Sequence, residues 1–551
     1  MRPTIMSSKT APSVEIAPEL LVRPRLAADV SVHEPAEEGA PWVIQSGQHK
    51  YFRVQPDLAR LALAVDGTRD HAGLADTLGP PWTVEAVGTA VDKLAAGRLL
   101  DDGERVRQRG RWVKFVPPLT VQFTVLSPER LLHRFSPLVR LLTSRAGVAA
   151  AVALALCGVL ALASQAPQVR MALGQPLPLS TYLAVIGGVL ATTAVHEFGH
   201  GAVLSHHGGR PGRMGVMLFY MSPAFFCDVS DGWRLPRRQQ RVAVALAGIA
   251  TQVVIAGAAA MASLFAEANV RDGLIVFSVV TYISGLLNLT PFVKLDGYIA
   301  LMSHLDIPHL RDRALDDARR FTARILFGGS HERRLPQWWA IPFGLACMAF
   351  PVYMVATAMR LWADSLQRLG AFGASLVLCG ICYLACHLVR GLVRVVREAR
   401  TGQAPALRIG AVLTLAVAVA GAALTVVKVP YSVTGGYLVR DGGQVELILA
   451  PSADQSVIRE NTTVRLYRAG VAARTETGQA VVAGDDGTDT TAPLSVFLPV
   501  RTDALPAPAV SYPLTTSKTP KTRVGVAQVD AGTKSLGAWL YARYVAPAWR
   551  W

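Results

Sequence analysis

Long apolar runs dominate the middle of the chain, and short polar segments separate each run from the next. The runs have about the 17 to 25 residues that cross a bilayer as a helix. They lie at 146–163, 182–204, 242–265, 273–289, 338–359, 369–389 and 409–427. The pattern predicts a multi-pass α-helical membrane protein with about seven spans, in a domain that we place at residues 116–429.

Arginines are unevenly distributed among the segments that connect these runs. They cluster before the first run and after the second, fourth and sixth, whereas the other connections carry only one or two. Basic loops stay in the cytoplasm, and the N-terminal region has no secretory signal pattern. We therefore expect a cytoplasmic N-terminus and an extracytoplasmic C-terminus. The formal net charge of +16 then orients helices and does not indicate a nucleic-acid partner.

The two flanking regions differ from the membrane domain in their periodicity. In residues 1–115, "PWVIQSGQHKYFRVQP" reads as two short strands joined at 46–49, and three helical segments follow. This order predicts a small N-terminal winged-helix domain. Residues 430–551 alternate short strands with turns and predict a C-terminal β-rich domain.

Within the β-rich domain, strands are expected at 463–467, 496–500 and 523–529. The segment "VAGDDGTDTTAP" reads as a mobile loop, because glycine, aspartate and threonine dominate it. The aromatic C-terminal segment "SLGAWLYARYVAPAWRW" has two interpretations. It rests on the external membrane interface, or it packs against the β-rich domain.

The second apolar run contains residues that a membrane helix normally excludes. Its sequence "GGVLATTAVHEFGHGAVLSHH" includes His196, Glu197 and His200. Residues four apart share a helix face, so both imidazoles can bind one Zn²⁺ ion with Glu197 beside them. A charged group at mid-span costs about 2.5 to 3.5 kcal/mol, which favours a metal site over a chance H-E-x-x-H. We expect Glu197 to act as the general base.

A third protein ligand must come from another part of the chain. His206 has the spacing of the H-E-x-x-H-x-x-G-x-x-H pattern, but Val203 replaces its glycine, so we interpret His206 and His207 as interfacial. The better candidate is Asp296 in "GLLNLTPFVKLDGYIAL", although a helix cap is an alternative role for it. The second and fourth spans run in the same direction, which brings His200 and Asp296 to the same membrane face.

The segments "HEFGH" and "NLTPFVKLDGY" together resemble the site-2 protease family of intramembrane zinc metalloproteases, whose second motif supplies an aspartate ligand from another helix. The resemblance covers roughly the membrane half of the chain. It implies zinc ligands at His196, His200 and Asp296, a catalytic base at Glu197 and a substrate-positioning role for Asn288.

Two further features resemble the peptide zinc metalloproteases of ribosomal-peptide (RiPP, including daptide-type) biosynthesis clusters. Tyr298 stands where many members of the larger family have a second glycine, and a tyrosine fits this branch. The loop "FFCDVSDGWRLPRRQQR" is similar to it as well. Asp228 and Asp231 in this loop are accessory candidates, as ligands or partners of the base or, the role we favour, as residues that fix the loop.

Residues 1–115 resemble, more weakly, the winged-helix peptide-recognition domain of enzymes that mature ribosomally made peptides. Such domains bind a leader peptide as an added β-strand. A DNA-binding winged helix is the alternative, but the helix at 83–96 carries Glu85, Asp92 and a single lysine, Lys93, which makes a poor phosphate-binding surface. We expect a precursor peptide and the lipid bilayer as partners, and no nucleic acid.

The leading hypothesis is an intramembrane zinc endopeptidase of a bacterial cell membrane that removes the leader of a precursor peptide. One alternative is regulated intramembrane proteolysis of a membrane-tethered regulator. Another is a non-enzymatic component of peptide export or immunity. The presence of Glu197 together with all three candidate ligands favours an enzyme.

Overall fold

The computed structural model describes residues 21–35, 42–46, 50–101, 113–116, 120–126, 132, 134–219, 222–330, 333–367, 371–468, 470, 474–498, 500–501 and 506–549. Its helices are α1 (Pro56–Ala64), α2 (His71–Leu78), α3 (Val84–Ala96), α4 (Ser136–Thr143), α5 (Arg145–Ser164), α6 (Ala166–Leu173), α7 (Leu179–His206), α8 (Arg238–Ala262), α9 (Ala268–Asn288), α10 (Asp296–Leu305), α11 (Leu310–Phe327), α12 (Ala340–Gln367), α13 (Ala371–Thr401), α14 (Ala406–Val426) and α15 (Leu536–Leu540).

Strands form two small sheets, a larger C-terminal sheet and one isolated pair. They are β1 (Val30–His33), β2 (Trp42–Ser46), β3 (Lys50–Val54), β4 (Val113–Val116), β5 (Thr120–Leu126), β6 (Leu177–Pro178), β7 (Met214–Phe219), β8 (Ser222–Cys227), β9 (Lys428–Val439), β10 (Val445–Leu449), β11 (Thr463–Arg468), β12 (Thr475–Val482), β13 (Thr488–Pro493), β14 (Val500–Arg501), β15 (Pro506–Thr516) and β16 (Val524–Ser535).

The predicted membrane spans are confirmed as helices. Within the described residues, seven helices are long and apolar enough to cross a bilayer, namely α5, α7, α8, α9, α12, α13 and α14. Each overlaps one of the seven apolar runs. Their leucines and valines include many exposed side chains, as expected for helices whose outer surface contacts lipid. The chain is therefore a membrane protein by the length and composition of its helices.

The chain divides into two compact units, and the first comprises residues 1–151, 193–251 and 299–306. At its N-terminal end, β1, β2 and β3 form an antiparallel sheet, followed by α1, α2 and α3. Ile44, Leu61, Leu74 and Leu94 are fully or almost fully buried in their shared core. The predicted hairpin and helices are present, with β1 as an additional strand. The winged-helix assignment stays a prediction.

The first unit also contains a four-stranded antiparallel sheet in the order β4-β5-β7-β8, which the sequence analysis missed. In it, Thr120 pairs with Phe219 and Met214 with Cys227. The sheet joins residues that precede the first span to residues that follow the second. The alternation of loops across the membrane stays a prediction.

The second unit comprises residues 152–192, 252–298 and 307–551, and its C-terminal part is a β-barrel. Neighbouring strands follow the order β10-β9-β16-β11-β12-β15, and β10 also pairs with β15, which closes the ring. Tyr437, Leu447, Val464 and Leu466 lie in the interior. The predicted β-rich domain is thus confirmed in its architecture.

Two local expectations in the β-rich domain are wrong. Thr488–Pro493, expected in a mobile loop, forms β13 and pairs along β15, because its β-branched threonines suit a strand. The strand expected at 496–500 is replaced by a 3₁₀ turn, Leu494–Val496, followed by the short β14. Val496 and Phe497 are buried there, so their apolar character reflects packing and not strand pairing.

The C-terminal segment packs against the barrel, which resolves its two interpretations in favour of packing. Ala542 belongs to the barrel core, and Trp539 packs against that core. The Gln367 amide at the end of α12 donates to the Arg543 carbonyl. Strand β6, between the first two spans, pairs with β14. These contacts connect the end of α12 and the segment between the first two spans with the C-terminal part of the second unit.

Candidate metal centre

Helix α7 carries both histidines of the H-E-x-x-H pattern, one helical turn apart. His196 and His200 are buried, with 4% and 6% of their surfaces exposed. His200 Nδ1 lies 2.7 Å from the carbonyl oxygen of Val244 on α8. A carbonyl only accepts, so Nδ1 carries the proton and Nε2 is the acceptor. His200 Nε2 lies 3.1 Å from His196 Nε2, and the two nitrogens can therefore share a metal ion.

Asp296 is the first residue of α10 and supplies the carboxylate of the group. One ligand atom from each of His196, His200 and Asp296 lies within 4.8 Å of the other two. Asp296 thus begins a helix, as its alternative role required, and also lies beside the imidazoles. Among the described residues this is the group of histidine, cysteine and acidic side chains that could hold a metal ion.

The donor set and spacing fit a divalent metal. Two nitrogens bound tetrahedrally at about 2.0 to 2.1 Å from zinc would lie roughly 3.3 Å apart, close to the 3.1 Å between the two Nε2 atoms. Two imidazoles and one carboxylate leave a fourth position for water. The same donors suit several divalent ions.

A glycine on α8 allows this close approach. A Cβ atom added at Gly248 would lie 2.6 Å from His196 Nε2 and still nearer to His200 Nε2. Real Cβ atoms do not approach that closely, so any side chain at Gly248 would displace the imidazoles. Sequence reasoning missed this residue. A glycine inside a membrane helix is a common packing feature and gave no specific signal.

Glu197 is oriented by the sheet that the sequence analysis missed. Its Oε2 atom accepts a hydrogen bond of 2.9 Å from the backbone N–H of Cys227, the last residue of β8. Burial raises the pKa of the Cys227 thiol to about 12, and the nearby charges of Glu197 and Asp228 add to this effect. The thiol is therefore protonated at neutral pH, and Cys227 contributes its backbone amide to the site.

Comparison of the chain with protein-family models, with curated proteins and with solved structures gave no match. The site is therefore interpreted from its own residues and their geometry. The resemblance of two short segments to a metalloprotease family stays a hypothesis.

Asp228 and Asp231 make the contacts of residues that fix a loop. Asp228 Oδ1 accepts from the backbone N–H and the hydroxyl of Ser230, at 3.1 and 2.6 Å. Asp231 is buried and accepts from the backbone N–H of Arg210 at 2.7 Å and from the Arg234 guanidinium at 3.1 Å. The Asp231 carboxylate holds the segment after α7 to the segment before α8, whereas Asp228 fixes the local turn at Ser230, and both sets of contacts support the role that we favoured.

Replacing Asp231 by alanine is expected to lower the stability of the protein by about 1 to 3 kcal/mol, because the part-buried hydrogen bond to the Arg210 N–H and the contact with the Arg234 guanidinium are both lost. Metal affinity should equal that of the wild type. Thermal unfolding in detergent and a zinc-competition titration would measure the two effects. Asp441→Ala, at a fully exposed side chain, is the control. Stability unchanged with metal affinity reduced more than tenfold would instead identify Asp231 as a metal ligand.

Asn288 belongs to a chain of polar side chains between α9 and α8. Its Nδ2 atom donates to Gln252 Oε1 at 3.3 Å, and Gln252 Nε2 donates to Ser284 Oγ at 3.5 Å. Gln252 is buried and lies one helical turn beyond Gly248 on α8. Sequence reasoning missed it, although a glutamine within an apolar run was a usable signal.

His206 and His207 are outside the group that could hold a metal. His206 Nε2 lies 3.3 Å from the Thr143 hydroxyl on α4. Burial lowers the pKa of His207, and the charge of His206 adds to the effect. His206 is the last residue of α7 and His207 follows it, and their interfacial role stays a prediction.

Proposed function

We propose that the protein is an intramembrane zinc endopeptidase that cleaves a precursor peptide near the cytoplasmic membrane face. The observation that carries this proposal is the arrangement of His196, His200 and Asp296, with Glu197 between the two histidines on the same membrane helix. A His₂-carboxylate set with an open position is typical of catalytic zinc, whereas structural zinc sites use four protein ligands.

The zinc, when bound, would polarise the scissile carbonyl and lower the pKa of a water molecule. Glu197 accepts the proton from that water as it attacks and then delivers the proton to the leaving amine. The hydrogen bond from the Cys227 N–H fixes one carboxylate oxygen and so sets the direction of the other. Hydrolysis at this position needs both proton transfers, and a single carboxylate can perform them in turn.

Asn288 is suited to bind the substrate carbonyl through its side-chain amide. One N–H of its Nδ2 group donates to Gln252, which fixes the orientation of the amide plane. The second N–H then points in a defined direction and can donate to the oxygen on which negative charge develops. This supports the substrate-positioning role that the resemblance implies for Asn288.

Sheet edges that have no paired strand within the described part of the chain favour a peptide as the substrate. Within the described residues β8 pairs with β7 alone, and its last amide contacts Glu197. An extended peptide that paired along the other edge of β8 would pass the catalytic carboxylate. Among the same described residues β1 and β3 are the edges of the N-terminal sheet, where a leader peptide could add as a strand. We therefore assign residues 1–115 to recognition of the precursor, as a winged-helix domain.

The arginine distribution supports an orientation with the N-terminus in the cytoplasm and the barrel outside a bacterial cell membrane. Both the N-terminal sheet and the β8 edge then face the cytoplasm, where a precursor peptide is made. Substrate recognition and cleavage at the same face favour leader removal over the release of a membrane-tethered regulator. The oriented Glu197 carboxylate favours an enzyme over a non-enzymatic export or immunity component.

Metal removal tests the proposal directly. The purified full-length protein in detergent is incubated with the precursor peptide encoded next to its gene, and the products are identified by mass spectrometry. We expect cleavage at one site, loss of cleavage with 1,10-phenanthroline and recovery on addition of zinc. The non-chelating isomer 1,7-phenanthroline is the control. Unchanged cleavage by protein whose metal content has been measured as negligible would overturn the metalloprotease assignment.

A further inference from the structure

The three ligands of the metal group have very different support from the backbone. His196 and His200 project from the interior of the long helix α7, so their spacing is fixed by helix geometry. Asp296 follows a non-helical segment, residues 289–295, that connects α9 to α10. A metal site must hold its ligands within about 0.5 Å of the binding geometry. The position of Asp296 therefore needs contacts from outside its own segment.

One residue contacts the chain on both sides of Asp296. Arg311, in the first turn of α11, donates from Nε to the carbonyl oxygen of Phe292 at 2.9 Å. Its backbone N–H donates to the hydroxyl of Tyr298 at 3.3 Å. Phe292 lies four residues before Asp296 and Tyr298 two residues after it. The two hydrogen bonds hold the ends of a short segment that has the metal ligand between them.

Both contacted residues are themselves well packed. Tyr298 is 4% exposed, and the Phe292 ring lies 5.5 Å from the Phe350 ring of α12, centroid to centroid. The hydrogen bond to the Phe292 carbonyl is part-buried, so loss of its donor costs more than loss of an exposed contact. By contrast, the nearby ion pair of Lys294 with Asp312 is exposed and contributes little.

We propose that Arg311 is a positioning residue for the metal ligand Asp296, and that Tyr298 is its partner in this role. The inference rests on metal binding by the group that contains Asp296, and it does not require that the protein cleave a peptide. It also gives a role to Tyr298, which stands where many members of the site-2 protease family have a second glycine. A second glycine at this position would have no hydroxyl to accept from the Arg311 backbone, so the tyrosine and Arg311 act together.

Zinc affinity of the full-length protein in detergent tests the inference. Arg311→Met removes the guanidinium and keeps much of the side-chain volume. We expect its zinc dissociation constant to rise by about 10- to 100-fold, the range seen when residues that orient metal ligands are removed. Tyr298→Phe removes one oxygen atom and should have a smaller effect of the same sign. Replacement of zinc by Co²⁺ should show an altered visible absorption spectrum in Arg311→Met, because the geometry at Asp296 changes.

Arg313→Met is the matched control, because Arg313 lies on the same helix turn and its guanidinium donates to the Arg334 carbonyl. Its zinc affinity should equal that of the wild type. The inference would be overturned if Arg311→Met and Tyr298→Phe both kept the wild-type zinc affinity and Co²⁺ spectrum. It would also be overturned if Arg313→Met weakened zinc binding as much as Arg311→Met does. If Arg311→Met does not fold, the zinc affinity and Co²⁺ spectrum of Tyr298→Phe decide the test. Failure of the wild type to cleave a peptide would count against the proposed function alone, since the readout here is metal affinity.

Discussion

Glu197→Gln is expected to lower kcat/KM for the precursor peptide by about 10²- to 10⁴-fold, the usual contribution of a general acid–base group. The glutamine carbonyl can still accept from the Cys227 N–H that now holds the carboxylate at 2.9 Å, so the side chain keeps its place. Only its ability to take a proton is lost. The change should therefore reduce kcat and leave KM and zinc content unchanged.

Steady-state cleavage and elemental analysis of the same preparations measure these quantities. Glu446→Gln, which alters a carboxylate that pairs with Arg440 on the barrel, is the matched control and should cleave as the wild type does. Equal rates for Glu197→Gln and the wild type would show that another group is the base. A loss of zinc together with activity would instead make Glu197 a residue that supports the metal.

The membrane helices could be predicted from the sequence because the bilayer imposes a length of apolar chain that few other structures need. The ends of those helices were less predictable. Helix α13 continues to Thr401, beyond the apolar run that ends at residue 389. Hydropathy reports the part of a helix that lipid surrounds, and the arginines beyond it are compatible with a helix that extends past the hydrocarbon region.

The sheet beside Glu197 could not be predicted, because its strands are short and come from both sides of two membrane spans. "MGVMLF" and "SPAFFC" lie in a connection that its arginines mark as a loop. Pairing between β5 and β7 depends on the chain returning to the same membrane face. The pattern of apolar and polar residues within a strand does not indicate which distant strand it pairs with.

The candidate site was predictable where its residues share one helix and much less so where they do not. His196 and His200 follow from helix spacing alone. Asp296 required an argument about the direction of two spans. Gly248 and Arg311 act through contacts between elements, and nothing in their own sequence surroundings distinguishes them from a packing glycine or a loop arginine.

Gly248→Ala is expected to remove most of the zinc affinity, by more than about a hundredfold, because it acts on two ligands at once. The added methyl group would lie 2.6 Å from His196 Nε2 and nearer still to His200 Nε2. Atoms without a bond or hydrogen bond between them do not approach so closely, so at least one imidazole must rotate away from the shared metal position. Substitution of a residue that only orients a metal ligand usually lowers metal affinity by about 10- to 100-fold. Displacement of a ligand itself should lower the zinc affinity by more than this.

Helix propensity predicts the opposite effect on folding, which makes this variant informative. Alanine stabilises a helix interior by about 1 kcal/mol relative to glycine, so the backbone of α8 favours the change. Gly187→Ala on α7 is the matched control, since a Cβ atom there meets nothing within 4 Å. We expect it to bind zinc as the wild type does. Because both variants add the same methyl group to a membrane helix, wild-type zinc affinity in Gly248→Ala would show that the two imidazoles do not converge on a metal at this position.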